Sequence, residues 1–132
     1  MSILGRKVSL KVVAALVTFL VVAALLPVMS EPRAREITLV ARNMAFYLEG
    51  DIPTPNPTIE VKPGERIRVV LRNEDRGMTH DFAVPEFSVV TDLLRWDETG
   101  DVAFEIPGEP GTYEYVCNPH RLMMTGTIVI RD

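Results

Sequence analysis

A chain of 132 residues has room for one globular domain and not for two. Charged residues make up 24% and apolar residues 47%, which suits a packed core and excludes wholesale disorder. The formal charge of −4 is uneven: Arg6, Lys7 and Lys11 are the only charges before Glu31, leaving 11 basic against 18 acidic residues beyond them, a balance of −7. A nucleic-acid binder of this size carries the opposite sign, so no nucleic-acid partner is expected.

Residues 12–30 carry no charge, and Val12 to Val28 read VVAALVTFLVVAALLPV. About 20 apolar residues span a bilayer as a helix, and the flank Arg6-Lys7…Lys11 fits a cytoplasmic N-terminus by the positive-inside bias. The competing reading is a secretory signal cleaved near Ser30. Either way the rest of the chain is expected outside the cytoplasm. The expected organisation is a basic flank over 1–11, a transmembrane anchor or uncleaved signal over 12–29, a linker over 30–36 and one domain over 37–132. The expected location is a single pass through the cell membrane with that domain on the periplasmic or extracellular side.

After the connector Ser30–Glu36 the pattern has the period of strands. Ile37, Leu39 and Ala41 alternate with Thr38, Val40 and Arg42. Ile59 and Val61 precede the turn Lys62-Pro63-Gly64-Glu65, and Ile67, Val69 and Leu71 then alternate with Arg66, Arg68, Val70 and Arg72. Further strands are expected over His80–Val84, Asp101–Ile106, Thr112–Cys117 and Thr127–Arg131, divided by Pro-Gly punctuation at 63–64, 107–108 and 110–111. Asp51–Pro57 holds three prolines and reads as loop, and Val89–Trp96 as a short helix or irregular loop. Short strands at this spacing predict an all-β sandwich or barrel, preceded by one N-terminal apolar helix.

The chain has one cysteine and two histidines. That count excludes an internal disulfide, a zinc ribbon built on paired Cys motifs, and any centre needing two thiolates or many imidazoles from one chain. Cys117, His120, Met123 and Met124 nevertheless fall within eight residues, in Tyr113-Glu-Tyr-Val-Cys-Asn-Pro-His-Arg-Leu-Met-Met-Thr-Gly126. Soft sulfur donors with imidazole favour copper, and two His with one Cys and a weak axial Met make a blue-copper set. The loop supplies one imidazole, so the second must be His80, the only other histidine. Zinc could use Cys117, His80 and His120 but would lack a good fourth donor. A cysteine nucleophile would need an orienting group and an oxyanion hole, and no motif for either is present.

At these residues the chain resembles the cupredoxin family, the plastocyanin- and azurin-like blue-copper electron carriers. The resemblance covers about residues 37–132, including Asn-Pro-Thr-Ile-Glu-Val-Lys-Pro-Gly-Glu (56–65) and Pro-Gly-Thr-Tyr-Glu-Tyr-Val-Cys (110–117). It implies a Greek-key β-sandwich with one copper ion at one end, cycling between Cu(I) and Cu(II) and held by His80, Cys117, His120 and a methionine. In the family the axial Met stands two residues before a glycine that opens the last strand, which selects Met124 over Met123. The family commonly has Asn after the first His, tying the ligand loops together; here that position is Asp81, which brings a carboxylate near the metal. Pro119 offers no N–H toward the sulfur.

The implied function is single-electron transport between redox proteins that dock near His120, by a monomer anchored through residues 12–29. Pro119, Leu122 and Met123, with Pro85 and Phe87, are candidates for the docking patch. The rival is a copper chaperone or store without electron transfer, but such sites are usually open and rich in Met or His, and Met44 and Met78 are scattered. A multicopper oxidase or binuclear centre fails on the residue count, so no enzyme activity is expected.

Overall fold

The computed structural model describes residues 9–25, 33–51 and 53–132. The chain divides into two compact units, Met1–Glu31 and Pro32–Asp132. In the first, helix α1 runs over Leu10–Leu25, and its only charged residue is Lys11. Val12, Val13, Leu16 and Val17 are exposed along it. The helix has 16 residues, about 24 Å at 1.5 Å per residue, against a hydrocarbon core of about 30 Å. Among the described residues no helix is long and apolar enough to cross a membrane. This overturns the expected single-pass membrane location and the anchoring through residues 12–29. Residues 1–8 of the basic flank, residues 26–29 and the cleavage alternative at Ser30 lie outside the described residues.

The second unit is a two-sheet β-sandwich. Its strands are β1 (Arg35–Arg42), β2 (Ala45–Leu48), β3 (Thr58–Val61), β4 (Arg66–Asn73), β5 (Ala83–Val84), β6 (Val89–Val90), β7 (Thr99–Glu105), β8 (Gly111–Val116) and β9 (Thr125–Ile130). One sheet has the order β2-β1-β4-β7 and the other β3-β9-β8-β5-β6. The pairs β1–β4 and β3–β9 are parallel and the remaining pairs antiparallel. Alternation selects the inner faces: Ile67, Val69 and Leu71 of β4 are buried while Arg66 and Arg68 face solvent. They meet Ile59, Tyr115 and Ile128 of the other sheet in one core. The β3–β4 turn follows its Pro-Gly sequence, with Gly64 at φ +70°.

Several details depart from the sequence pattern; one is β6 (Val89–Val90), a strand paired with β5 inside the expected helix or irregular loop over Val89–Trp96. Strand β1 starts at Arg35, inside the expected connector, because the Arg35 side chain is tied to Glu65 and to the Glu60 carbonyl. The expected strand His80–Val84 survives only as Ala83–Val84, since the Thr91 hydroxyl takes the Phe82 N–H at 3.0 Å and interrupts the ladder. Strand β2, reading Ala-Phe-Tyr-Leu, has no polar alternation and was not expected.

Candidate metal centre

Register brings the ligand segments together. Strands β8 and β9 pair antiparallel, with Val116 opposite Thr125, so Cys117 and Met124 follow on from one ladder rung. The Cys117 N–H donates to the Met124 carbonyl at 3.0 Å, closing the loop at its neck. Strand β5 pairs with β8 through Ala83 and Val116, which sets the residues before Ala83 beside those after Val116. His80 is fixed by two backbone hydrogen bonds with Leu94, at 3.0 and 2.8 Å.

The donor atoms of His80, Cys117 and His120 all lie within 4.8 Å of one another, and among the described residues they are the group of His, Cys and carboxylate donors able to hold a metal ion. Cys117 Sγ is 3.5 Å from His80 Nδ1 and 3.6 Å from His120 Nδ1. His80, Cys117 and Met124 are buried, whereas His120 is half-buried. Met123 is 59% exposed and Leu122 fully exposed. Two adjacent methionines thus have opposite environments. Gly126 has a structural reason of its own: it stands opposite Tyr115, whose ring occupies the place of a Cβ.

The ligand loop is braced throughout. His120 N donates to Cys117 O, and both Met123 N and Met124 N donate to His120 O. The Thr125 hydroxyl bonds Arg121 O at 2.6 Å. Asp81 performs the tie expected of the family's Asn: its carboxylate accepts the Asn118 backbone N–H and side-chain amide, each at 2.7 Å. Phe87 is half-buried and packs against the core. Its ring packs 4.7 Å from that of Tyr113 and 6.3 Å from that of Phe104.

Three bracing residues escaped the sequence reading. Asp75 accepts a hydrogen bond from His80 Nε2 at 3.0 Å. Asn73, fully buried, donates to the carbonyls of Met78 and Leu94 and so shapes the loop leading to His80. Asn56 exchanges hydrogen bonds with Phe46 and donates to Met123 O at 3.0 Å, joining β2 to the ligand loop. Asn56 and Asp75 are short polar residues in loops and Asn73 ends β4, and that is the only local signal they carry.

The electrostatics favour a neutral, ligand-ready imidazole. Burial pushes the His80 pKa down, against the pull of Asp75. Burial also opposes the Asp75 charge, but hydrogen bonds from the Met44 and Asn43 N–H groups and from His80 outweigh it and hold that carboxyl below its ordinary value. Burial pushes the Cys117 thiol up, against backbone N–H groups of Asp81 and His120 that favour the thiolate. A cation that replaces the proton removes this penalty.

The spacing of the three donors fits bond lengths of about 2.0 Å to nitrogen and 2.3 Å to sulfur from one ion. Donor chemistry separates the metals. Zinc seeks a fourth Cys, His or carboxylate, whereas a thiolate, two imidazoles and a buried thioether suit copper. The sequence matches the family model described as Cupredoxin-like domain over residues 12–130. The chain belongs to the cupredoxin-like family.

The cupredoxin fold extends to solved structures. Auracyanin A, a "blue" copper protein from the green thermophilic photosynthetic bacterium Chloroflexus aurantiacus, superposes with a TM-score of 0.61 at 18% identity, covering 75% of this chain and 100% of that one. Auracyanin from the photosynthetic bacterium Roseiflexus castenholzii gives 0.60 at 16% identity, covering 75% and 98%. Rusticyanin from Thiobacillus ferrooxidans gives 0.54 at 23% identity, covering 73% and 76%. No curated protein matches the sequence.

Proposed function

We propose that this cupredoxin holds one copper ion through His80, Cys117 and His120 with Met124 as weak axial ligand, and that it carries single electrons between redox proteins. The observation that carries the reading is the convergence of one thiol and two imidazoles within 4.8 Å, above a loop neck that includes the buried Met124. Bound copper supplies a one-electron couple between Cu(I) and Cu(II). The chain supplies a braced cage: sheet register holds Cys117, the Leu94 bridge holds His80, and the loop's own hydrogen bonds hold His120. A site that moves little between oxidation states needs little reorganisation at each transfer.

His120 is the route for the electron, being the half-buried member of the set. Pro119, Leu122 and Met123 are exposed around it in sequence and form the apolar element of the docking surface. Such encounters are weak and use small interfaces. The balance of −7 beyond residue 30 favours a partner with a basic face, with Arg121 giving local exception beside the exit ligand. Burial of three of the four proposed ligands supports a carrier over a chaperone, which needs an open site for metal hand-over.

The test is the absorption spectrum and voltammogram of the protein loaded with Cu(II). An intense visible thiolate-to-copper band and a reversible one-electron wave are expected. A colourless protein that keeps zinc in preference to copper would overturn the proposal.

A further inference from the structure

We propose that Asp75 is a positioning residue for the metal centre: it fixes the tautomer of His80 and, by its charge behind that ligand, lowers the reduction potential. The inference rests on the copper-carrier reading. Asp75 Oδ2 lies 3.0 Å from His80 Nε2 and 3.0 Å from the Met44 N–H, and Oδ1 lies 2.7 Å from the Asn43 N–H. All three partners are nitrogen donors, so the carboxylate acts only as an acceptor. The proton of the neutral imidazole is thereby placed on Nε2. Nδ1, which faces Cys117 Sγ, is left with its lone pair. His80 is fully buried, so no solvent molecule stands in for Asp75.

Asp75 is itself built into the fold. Asn43 and Met44 join β1 to β2 with φ of +50° and +59°, a left-handed turn that carries both N–H groups to the carboxylate. The Asp75 N–H donates to Asn73 Oδ1 at 2.8 Å, and buried Asn73 fixes the path from there to His80. A neutral acceptor would orient the ring equally well. A carboxylate adds more: it raises the basicity of the imidazole and stabilises the doubly charged metal state over the singly charged one.

Two measurements test this. In the metal-free protein, nitrogen NMR of His80 is expected to show the Nε2–H tautomer, and a dominant Nδ1–H form would overturn the proposal. In the copper-loaded protein, Asp75→Asn keeps a carbonyl acceptor for His80 and Met44, removes the charge, and turns an amide NH2 toward the Asn43 N–H. The blue band should persist while affinity for Cu(II) falls about 10–100-fold. With affinity for Cu(I) unchanged, the potential then rises by about 59 mV per factor of ten. A blue variant with the potential of the parent would overturn the charge argument and leave the carrier reading standing. A parent protein without the band would sink the carrier reading, and the tautomer measurement would still judge Asp75. Since that measurement uses the unmodified chain, the test survives a variant that does not fold.

Discussion

Asp81 and Asn118 clasp the two ligand loops to each other, through hydrogen bonds of 2.7 Å from the Asn118 backbone and side-chain amides to the two oxygens of one carboxylate. One residue follows His80 and the other follows Cys117, so the clasp sets the separation of two metal donors 37 residues apart. Asp81→Ala removes both bonds to a charged acceptor and should destabilise the metal-free protein by about 1.5–3 kcal/mol. Asp81→Asn should be much milder, because the Asn118 amide can turn over and exchange donor for acceptor. That variant also loses a negative charge near the metal, so its potential should rise with the blue band retained. Urea titration and voltammetry check the pair; equal stability of Asp81→Ala and the parent would show the clasp to be idle.

Cys117 is the donor that no other residue can replace. Cys117→Ser should abolish the visible charge-transfer band even where metal is retained by His80 and His120. Titration with Cu(II) followed by absorption and electron paramagnetic resonance reads the result. An intact intense band would show that the colour arises elsewhere.

The two methionines separate by environment. Met124 is fully buried and Met123 is 59% exposed. Met124→Leu removes a donor that stabilises Cu(II), so the potential should rise while the band remains. Met123→Leu exchanges one exposed apolar side chain for another and should leave spectrum and potential unchanged. Voltammetry of both single variants decides; a large shift for Met123→Leu alone would reverse the assignment.

Gly126 and Tyr115 form a steric pair across β8 and β9. A Cβ at position 126 would overlap the Tyr115 ring, which packs against Phe46 and Phe82. Its hydroxyl is fixed to Pro57 O at 2.6 Å. Gly126→Ala should therefore cost about 3 kcal/mol through overpacking. Tyr115→Phe should cost about 1–3 kcal/mol by leaving the buried Pro57 carbonyl unpaired. Thermal melts of the metal-free variants measure both, and a stable Gly126→Ala protein would mean that the ring has room to move.

Local order made much of this protein legible without its structure. Three of the four proposed ligands lie within eight residues, so their proximity is a property of the chain itself, and His80 followed because no other histidine exists. The alternation in β4 and the Pro-Gly turn at 63–64 likewise announce a sheet and a reversal, since side chains on a strand alternate with period two wherever the strand ends up. The uncharged run after Lys11 misled for the complementary reason: hydropathy records composition, and the described helix of 16 residues is shorter than a bilayer span. What holds the centre could emerge only from tertiary structure. Asp75 meets Met44 across 31 residues and Asn56 meets Met123 across 67. Hydrogen bonds over such separations leave no periodicity or spacing to read, because they depend on where the two sheets bring their loops and not on what stands next to each residue in the chain.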